Sequence, residues 1–153
     1  MREWLGLVAR LVTGGVWIWA GALKLGDSYQ SVQAVRAYEL LPESLVEPVG
    51  YLLPVLEVVV GFALVVGVLT RGAAVLSALL FVVFIIGIAS AWARGLQIDC
   101  GCFGGGGYDP GAEAAYPWEI ARDAALLLAS LFLVRWPRTR LSLDSVLFRP
   151  TAA

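Results

Sequence analysis

Four long apolar segments constrain the fold of this chain more than any other feature of its sequence. A helix needs about 20 mostly apolar residues to cross the roughly 30 Å hydrocarbon core of a bilayer. Backbone in lipid must also be helical or part of a closed barrel. The segments that reach this length are residues 5–25, 49–69, 72–93 and 119–136. They predict an all-α protein, an integral membrane four-helix bundle.

The composition agrees with lipid as the main solvent. Hydrophobic residues make up 59% of the 153-residue chain and charged residues 15%, whereas soluble domains have roughly 45–50% and 25%. A net charge of −1 gives no reason to expect a nucleic-acid partner. The chain has no histidine, which excludes histidine-based acid–base catalysis and histidine metal ligands.

The N-terminal segment has two interpretations. Arg2 and an apolar run ending in Ala20-Gly21-Ala22 are typical of a signal peptide with its cleavage site. The run is long for such a peptide and contains Arg10. We therefore expect an uncleaved first helix, with Arg10 near the cytoplasmic end snorkelling or pairing alone.

Basic residues are expected to concentrate on the cytoplasmic side of a membrane protein. If both termini and the turn at Thr70-Arg71 are cytoplasmic, that side holds seven of the eleven basic residues, Arg149 included, and the other side holds ten of the twelve acidic ones. We expect a multi-pass plasma-membrane protein with residues 1–136 as a redox-associated four-span domain. Residues 137–153 form a basic cytoplasmic tail. A short interfacial helix is predicted within residues 31–41 of the first outer loop, ending before Pro42.

The two cysteines form the sequence Cys100-Gly101-Cys102, in the second outer loop, on the oxidising side of the membrane. A structural disulfide here would close almost no loop and so would stabilise little. A metal site would lack two ligands unless carboxylates or another chain supply them. A reversible dithiol/disulfide fits best, because strained or exposed disulfides are the labile, oxidising ones. All three interpretations stay open at this point. The redox interpretation is favoured, and we do not expect a bound metal.

Charged residues within the apolar segments form a second candidate group. Arg10, Gly14, Trp17, Gly21 and Lys24 recur at helical spacing and share one face, and the glycines would let a neighbouring helix approach closely. Charged side chains in a bilayer normally face the protein interior and pair. The candidates near the outer face are Lys24, Glu57, Arg94, Arg122 and Asp123.

These charges could act on the thiols. Lys24 or Arg122 is expected to pair with Glu57, and nearby cations lower the pKa of a thiol. Glu57 or Asp123 could accept a proton when the dithiol is oxidised. The electrons would pass to a thioredoxin-like protein or to a membrane quinone, for which a site near Trp17 and Phe84 is predicted.

Several stretches together resemble the MauE family of methylamine-utilisation membrane proteins, within the DoxX-like superfamily. The most specific is Arg94-Gly95 followed by Asp99-Cys100-Gly101-Cys102-Phe103-Gly104. The other stretches that carry the resemblance are Arg10, Ala20-Gly21-Ala22-Leu23-Lys24-Leu25, Tyr38-Glu39-Leu40-Leu41-Pro42, Pro54 with Glu57, and Trp118 with Arg122-Asp123.

The resemblance implies a four-helix bundle similar to that of vitamin K epoxide reductase-like membrane proteins. It also implies help in maturing the disulfide-rich small subunit of methylamine dehydrogenase, beside an extracytoplasmic thioredoxin-like partner. One departure matters, because vitamin K epoxide reductase-like enzymes carry a Cys-x-x-Cys and further loop cysteines that this chain lacks. Any shuttle cysteine must then come from a partner.

The leading hypothesis is thus a membrane thiol–disulfide protein, a possible thiol–disulfide oxidoreductase, that uses Cys100 and Cys102. One alternative is a non-enzymatic assembly or maturation factor whose disulfide only shapes a docking loop. Another is a small transporter that uses Glu57 as a proton or ion site.

Overall fold

The computed structural model describes residues 1–148, so Arg149 and the rest of the predicted tail, residues 150–153, lie outside the described residues. Within 1–148 the chain is mostly helical. The elements are α1 Arg2–Gly26, α2 Ser28–Ala37, α3 Glu43–Val66, α4 Thr70–Ala93, β1 Ile98–Asp99, β2 Gly107–Tyr108, α5 Ala112–Arg135 and α6 Leu143–Leu147.

Three helices, α1, α3 and α4, are long and apolar enough to cross a membrane. Their lipid-facing sides carry large exposed apolar side chains, among them Trp19, Leu52, Phe62 and Val83. Helix α5 is as long, but its first half carries Glu113, Glu119, Arg122 and Asp123. The predicted membrane helices are therefore confirmed for three of the four.

Glycines bring α1 and α3 into close contact. A Cβ atom added at Gly14 would lie 2.8 Å from the carbonyl oxygen of Gly61, and one added at Gly21 would lie 2.8 Å from that of Pro54. All five residues of the predicted α1 face are buried. The small residues thus allow the backbone approach that membrane helices use in place of a hydrophobic driving force.

The centre of the molecule is an apolar core around the nearly fully buried Trp17. Its ring lies 4.4 Å from that of Phe81, between ring centroids. Its indole N–H donates to the Ser77 hydroxyl at 2.7 Å, and Ser77 and Ser130 share a 2.8 Å hydrogen bond. These bonds join α1, α4 and α5, because a polar group in an apolar interior must find a partner there.

The end of the molecule where α1 begins and α3 meets α4, called the inner end here and the opposite one the outer end, is covered by the segment after α5. Arg10 is only 1% exposed, and its guanidinium donates to the Thr139 hydroxyl at 2.6 Å and to the Leu141 carbonyl at 2.9 Å. The expected snorkelling of Arg10 is wrong, and Arg10 instead pairs apart from the other buried charges, because a segment more than 125 residues away supplies acceptors that a pattern within α1 cannot reveal.

Asp144 fixes the same segment to the start of α4. Its carboxylate accepts the backbone N–H groups of Leu69 and Thr70, each at 2.8 Å. Partial burial opposes ionisation, but these N–H groups hold the pKa of Asp144 below its ordinary value. A carboxylate here also suits the positive end of the helix dipole.

Several element boundaries differ from the sequence prediction, and α3 begins at Glu43 rather than near residue 49. Helix α2 ends at Ala37 rather than near Pro42, since the carbonyl of Tyr38 accepts a hydrogen bond from Arg94 and Glu39 turns to a positive φ of 51°. Helix α5 begins at Ala112, seven residues early, after a turn in which Asp109 accepts the N–H of Gly111. The chain between α4 and α5 forms a short antiparallel hairpin, β1 with β2, which the all-α prediction lacked.

Candidate functional site

The two cysteines lie in the loop that joins β1 to β2. Both are free thiols and nearly buried, with 8% of Cys100 and 6% of Cys102 exposed. Gly101 between them has a φ of +66°, a conformation that glycine adopts without strain. The Asp99 carboxylate accepts the N–H of Gly101 at 2.9 Å, and the N–H of Cys102 donates to the Cys100 sulfur at 3.2 Å.

The pKa of the Cys100 thiol is raised above its ordinary value. The largest cause is its side-chain hydrogen bond with Cys102, followed by burial and by the charges of Cys102 and Glu119. Two thiols so close together cannot both ionise easily, since like charges repel. The pair therefore holds a proton that must leave before a disulfide forms.

Helix α2 covers the cysteine loop. A Cβ atom added at Gly101 would lie 2.6 Å from the Cβ of Ala34, so the backbone of the loop is in direct contact with α2. The Tyr38 hydroxyl donates to the carbonyl of Cys100 at 2.9 Å. Burial, and then the nearby cysteines, raise the pKa of Tyr38. It therefore remains a hydrogen-bond donor.

Lys24 and Glu57 form a buried ion pair beneath this loop. The Lys24 Nζ and Glu57 Oε1 atoms are 2.7 Å apart, and the side chains are 6% and 0% exposed. Lys24 also lies 5.1 Å from the centre of the Phe84 ring. The second oxygen of Glu57 has no hydrogen-bond partner among the described residues. Of the two predicted partners for Glu57, the structure selects Lys24.

Arg122 and Asp123 form a second pair on α5, at 2.9 Å. The Arg122 guanidinium lies over the Phe103 ring, 4.6 Å from its centre. Phe103 directly follows Cys102 in the chain. The charge of Arg122 interacts with both Cys102 and Cys100, and that of Asp123 interacts with Lys24. The four residues of the two ion pairs are called the charge network here, and the contact of Arg122 with Phe103 brings it to the cysteine loop.

Arg94 stands apart from this network. It is exposed, and its guanidinium donates to Ser90 and to the carbonyl of Tyr38. Among the described residues its contacts are with neutral groups rather than with a carboxylate. Arg94 thus fixes the end of α2 over the cysteine loop and reaches the cysteines only through Tyr38.

An apolar cavity of about 200 Å³ connects the two parts of the site. The cysteine loop forms one end, Lys24 reaches its wall, and Phe84 and Gly87 of α4 line one side. Among the described residues, its lining includes neither Glu57 nor Trp17. The prediction of a quinone site near Trp17 and Phe84 therefore fits only at Phe84, because Trp17 is packed in the core.

Sequence reasoning missed three residues of the site. Glu119 lies on α5 between Tyr116 and Ile120, which pack in one cluster with the two cysteines, and its Oε2 is buried. Its position three and four residues before Arg122 and Asp123 puts it on the same helix face, a signal that could have revealed it. Tyr116 supports β1, since its hydroxyl donates to the Leu96 carbonyl at 2.6 Å. Tyr38 stands out in the sequence only as part of the stretch from Tyr38 to Pro42 that resembles the MauE family.

A metal site finds no support in the part of the chain from residue 1 to residue 148. Within it, no group of three or more Cys, Asp or Glu side chains is arranged to hold a metal ion. The two thiols and Glu119 remain as chemistry-bearing groups at the loop. Their arrangement suits proton transfer and thiol–disulfide exchange, which needs a thiolate and a route for its proton.

Comparison with known proteins gives consistent matches. Residues 2–135 match the family described as methylamine utilisation protein MauE. The chain is 37% identical over 98 residues to methylamine utilization protein MauE of Paracoccus denitrificans, covering 63% of this chain and 53% of that protein. It is 38% identical over 113 residues to the protein of the same name in Methylorubrum extorquens, covering 72% and 57%.

A third relative, methylamine utilization protein MauE of Methylophilus methylotrophus, is 42% identical over 80 residues, covering 52% of this chain and 42% of that protein. The chain spans about half the length of the curated relatives it matches. No solved structure matches it significantly.

Proposed function

Because the chain belongs to the MauE family, we propose that it is a membrane thiol–disulfide protein whose redox pair is Cys100 and Cys102. It exchanges electrons with an extracytoplasmic thioredoxin-like partner and supports the maturation of exported disulfide proteins. The relatives are named for methylamine utilisation, and we extend that accessory role to this chain. The target would be a protein of the methylamine dehydrogenase small-subunit type. We also infer membership of the wider DoxX-like superfamily.

The observation that carries the proposal is the local geometry of the two sulfurs. The N–H of Cys102 reaches the sulfur of Cys100 at 3.2 Å, and the sulfur of Cys102 lies 3.9 Å from the carbonyl oxygen of Cys100, so each sulfur lies against the backbone of the other cysteine. A disulfide across one residue is small and strained, which makes it oxidising and labile. The adjacent Arg122 supplies positive charge for a thiolate.

The charge network is proposed to tune this pair. Arg122 offsets negative charge at the cysteines, while Asp123 and Lys24 connect it to Glu57. Within a bilayer, ionisable residues that face the interior and pair with one another mark functional sites more often than not. Arg94 contributes by holding Tyr38 over the loop.

We propose that α5 also spans the bilayer and completes a four-helix bundle, with α2 lying at the outer interface. Helix α5 is 24 residues long, and two residues of its charged half, Arg122 and Asp123, pair with each other inside the protein. Residues 1–136 would then form the redox domain and residues 137–153 a basic cytoplasmic segment. Both termini would be cytoplasmic and the cysteines extracytoplasmic, in the plasma membrane.

A membrane-impermeant thiol reagent applied to intact cells tests this orientation. Labelling of reduced Cys100 or Cys102 is expected, and the double Cys100→Ser/Cys102→Ser variant gives the background. If both thiols are labelled only after the membrane is permeabilised, the orientation is wrong.

The apolar cavity favours a quinone as a further acceptor. Its volume of about 200 Å³ is below the roughly 300–1,000 Å³ of ordinary ligand pockets, so we propose that only the ring of a quinone would enter it. Lys24 and Phe84 would hold the ring beside Cys100 and Cys102. Such a group, when bound, accepts the two electrons of the dithiol.

Trapping of a mixed disulfide tests the exchange reaction. A Cys100→Ser or Cys102→Ser variant in cells is expected to retain a thioredoxin-like protein as a covalent adduct that reductant releases. The double variant provides the control and should retain nothing. The redox proposal fails if the double variant still supports oxidation of the exported target proteins.

The same variants separate the alternatives. Normal maturation in the double serine variant would favour an assembly factor whose loop only docks a partner. A Glu57→Gln variant that keeps redox activity but loses solute transport would favour a transporter. The position of Glu57 argues against transport, since its carboxylate is fully buried against Lys24 and lies outside the cavity lining.

A further inference from the structure

Glu119 lies one helical turn before the Arg122–Asp123 pair, beside Cys100. Tyr116 and Ile120 of the same helix pack in one cluster with Cys100 and Cys102, which puts Glu119 at the cysteine loop, and the charge of its carboxyl group contributes to the raised pKa of Cys100. One of its oxygens, Oε2, is buried without a hydrogen-bond partner among the described residues. A carboxylate beside a thiol that must lose its proton is placed to receive it.

The two cysteines have different surroundings. The sulfur of Cys100 accepts the N–H of Cys102 at 3.2 Å and has Glu119 next to it. Cys102 directly precedes Phe103, and the Arg122 guanidinium lies 4.6 Å from the centre of the Phe103 ring. A cation favours a thiolate, whereas a carboxylate disfavours one until it takes up a proton.

From this asymmetry we propose that Cys102 is the cysteine that exchanges with the partner, and that Glu119 is the catalytic residue that accepts and returns the proton of Cys100. The inference rests on the proposed function and adds a proton acceptor and an order of events. Other charged or titratable groups also face this site. They are Asp99 on β1, Tyr38 after α2, and Tyr116, Arg122 and Asp123 on α5.

The steps balance in atoms and electrons. The Cys102 thiolate attacks a partner disulfide, a Cys102–partner disulfide forms, and one partner thiolate leaves. Glu119 then takes the proton of Cys100, and the resulting thiolate attacks the Cys102 sulfur. The Cys100–Cys102 bond forms, the second partner thiolate leaves, and the partner has gained two electrons. In the reverse direction Glu119 returns the proton to Cys100 as it leaves.

The test uses 4,4′-dithiodipyridine as the disulfide probe, with the full chain purified in detergent micelles. Attack on the probe releases one pyridinethione, and closure of the Cys100–Cys102 disulfide releases a second. Both releases are followed by absorbance. The wild type is expected to release two equivalents, with a fast unimolecular second step. Cys100→Ser should stop after one equivalent, and Cys102→Ser should lose the fast first step.

Glu119→Gln is expected to slow the second release about 100-fold at neutral pH, the order of a general-base contribution. The first release should change little. The rate of the second release in Glu119→Gln should rise with pH, because hydroxide must replace the carboxylate as the proton acceptor. The matched control is Glu113→Gln, an exposed glutamate of the same helix, which should leave both steps unchanged. Glu119→Asp keeps a carboxylate and should fall between wild type and Glu119→Gln.

The outcomes separate this inference from the proposed function. A second step in Glu119→Gln as fast as in wild type overturns the role of Glu119. A fast first step in Cys102→Ser overturns the assignment of the exchanging cysteine. The redox function itself is overturned if the wild type releases only one equivalent, or if it releases two equivalents without forming an intramolecular disulfide. If Glu119→Gln fails to fold, Glu119→Asp decides the question by the same second-step rate.

Discussion

Arg10 and Lys24 lie on one face of α1, about four turns apart, and both are buried, yet their partners differ in kind. Arg10, at the inner end, donates to a hydroxyl and a carbonyl of the segment after α5. Lys24, at the outer end, pairs with the carboxylate of Glu57 and lines a cavity that reaches the cysteines.

The comparison shows that one pattern can serve two purposes. Neutral acceptors satisfy the Arg10 guanidinium and fix the chain after α5 over the inner end, which is a structural role. A carboxylate partner leaves a pair of ionisable groups near the two thiols, which is the arrangement expected of a site with proton transfer. Four variants separate the two ends further.

Lys24→Met should have the largest effect on stability. Removing one partner of a buried ion pair leaves the other uncompensated and costs about 3–5 kcal/mol. Thermal unfolding in detergent micelles measures the loss. The double variant Lys24→Met/Glu57→Met should recover most of it, and Leu23→Met, an exposed neighbour, should lie within about 0.5 kcal/mol of wild type. No recovery in the double variant would contradict the pairing.

Thr139→Val tests the inner end and should cost less, about 1–3 kcal/mol, because one buried hydrogen-bond group of Arg10 loses its partner. The same unfolding assay checks it. Redox activity should survive, since Thr139 lies at the opposite end from the cysteines. Loss of thiol–disulfide exchange with unchanged stability would show that the two ends are coupled.

Asp144→Ala should cost about 1 kcal/mol at pH 7, the usual contribution of a helix cap. The pKa of Asp144 is lowered in the folded protein, so its contribution is present above the unfolded value of about 3.9 and is lost as pH falls through the lower folded value.

The measurement compares wild type and variant across this acid range. The difference in unfolding free energy should shrink as the pH falls below about 4. Glu3→Ala, which breaks only the exposed pair with Arg140, should cost less than about 1 kcal/mol. If the difference in unfolding free energy between wild type and Asp144→Ala stays constant below about pH 4, the Asp144 carboxylate does not stabilise the start of α4.

Tyr38→Phe should have the smallest effect on stability, about 0.5–1.5 kcal/mol for one hydrogen bond, but it acts on the outer end. Without the bond to the Cys100 carbonyl, α2 holds the cysteine loop less firmly. The rate of thiol alkylation should rise. Tyr29→Phe, an exposed tyrosine of α2, is the control, and an equal rate in both variants would rule out α2 as the cover.

Periodicity and hydropathy predicted much of this protein. The α1 face from Arg10 to Lys24 could be derived from spacing alone, because a helix repeats every 3.6 residues. Pairing of Glu57 followed from the cost of an isolated charge in an apolar interior. The start of α5 and the β1–β2 hairpin could not be derived in this way, since local side-chain bonds around Asp109 and Tyr116 set them.

The sequence by itself determined three membrane helices and the face of α1 that packs, because these depend on local composition and spacing. Tertiary structure alone decided the partners. It chose Lys24 for Glu57, brought Thr139 to Arg10 and set Glu119 beside Cys100. Such contacts join residues far apart in the chain, and their geometry follows from how the helices pack rather than from any pattern within one helix.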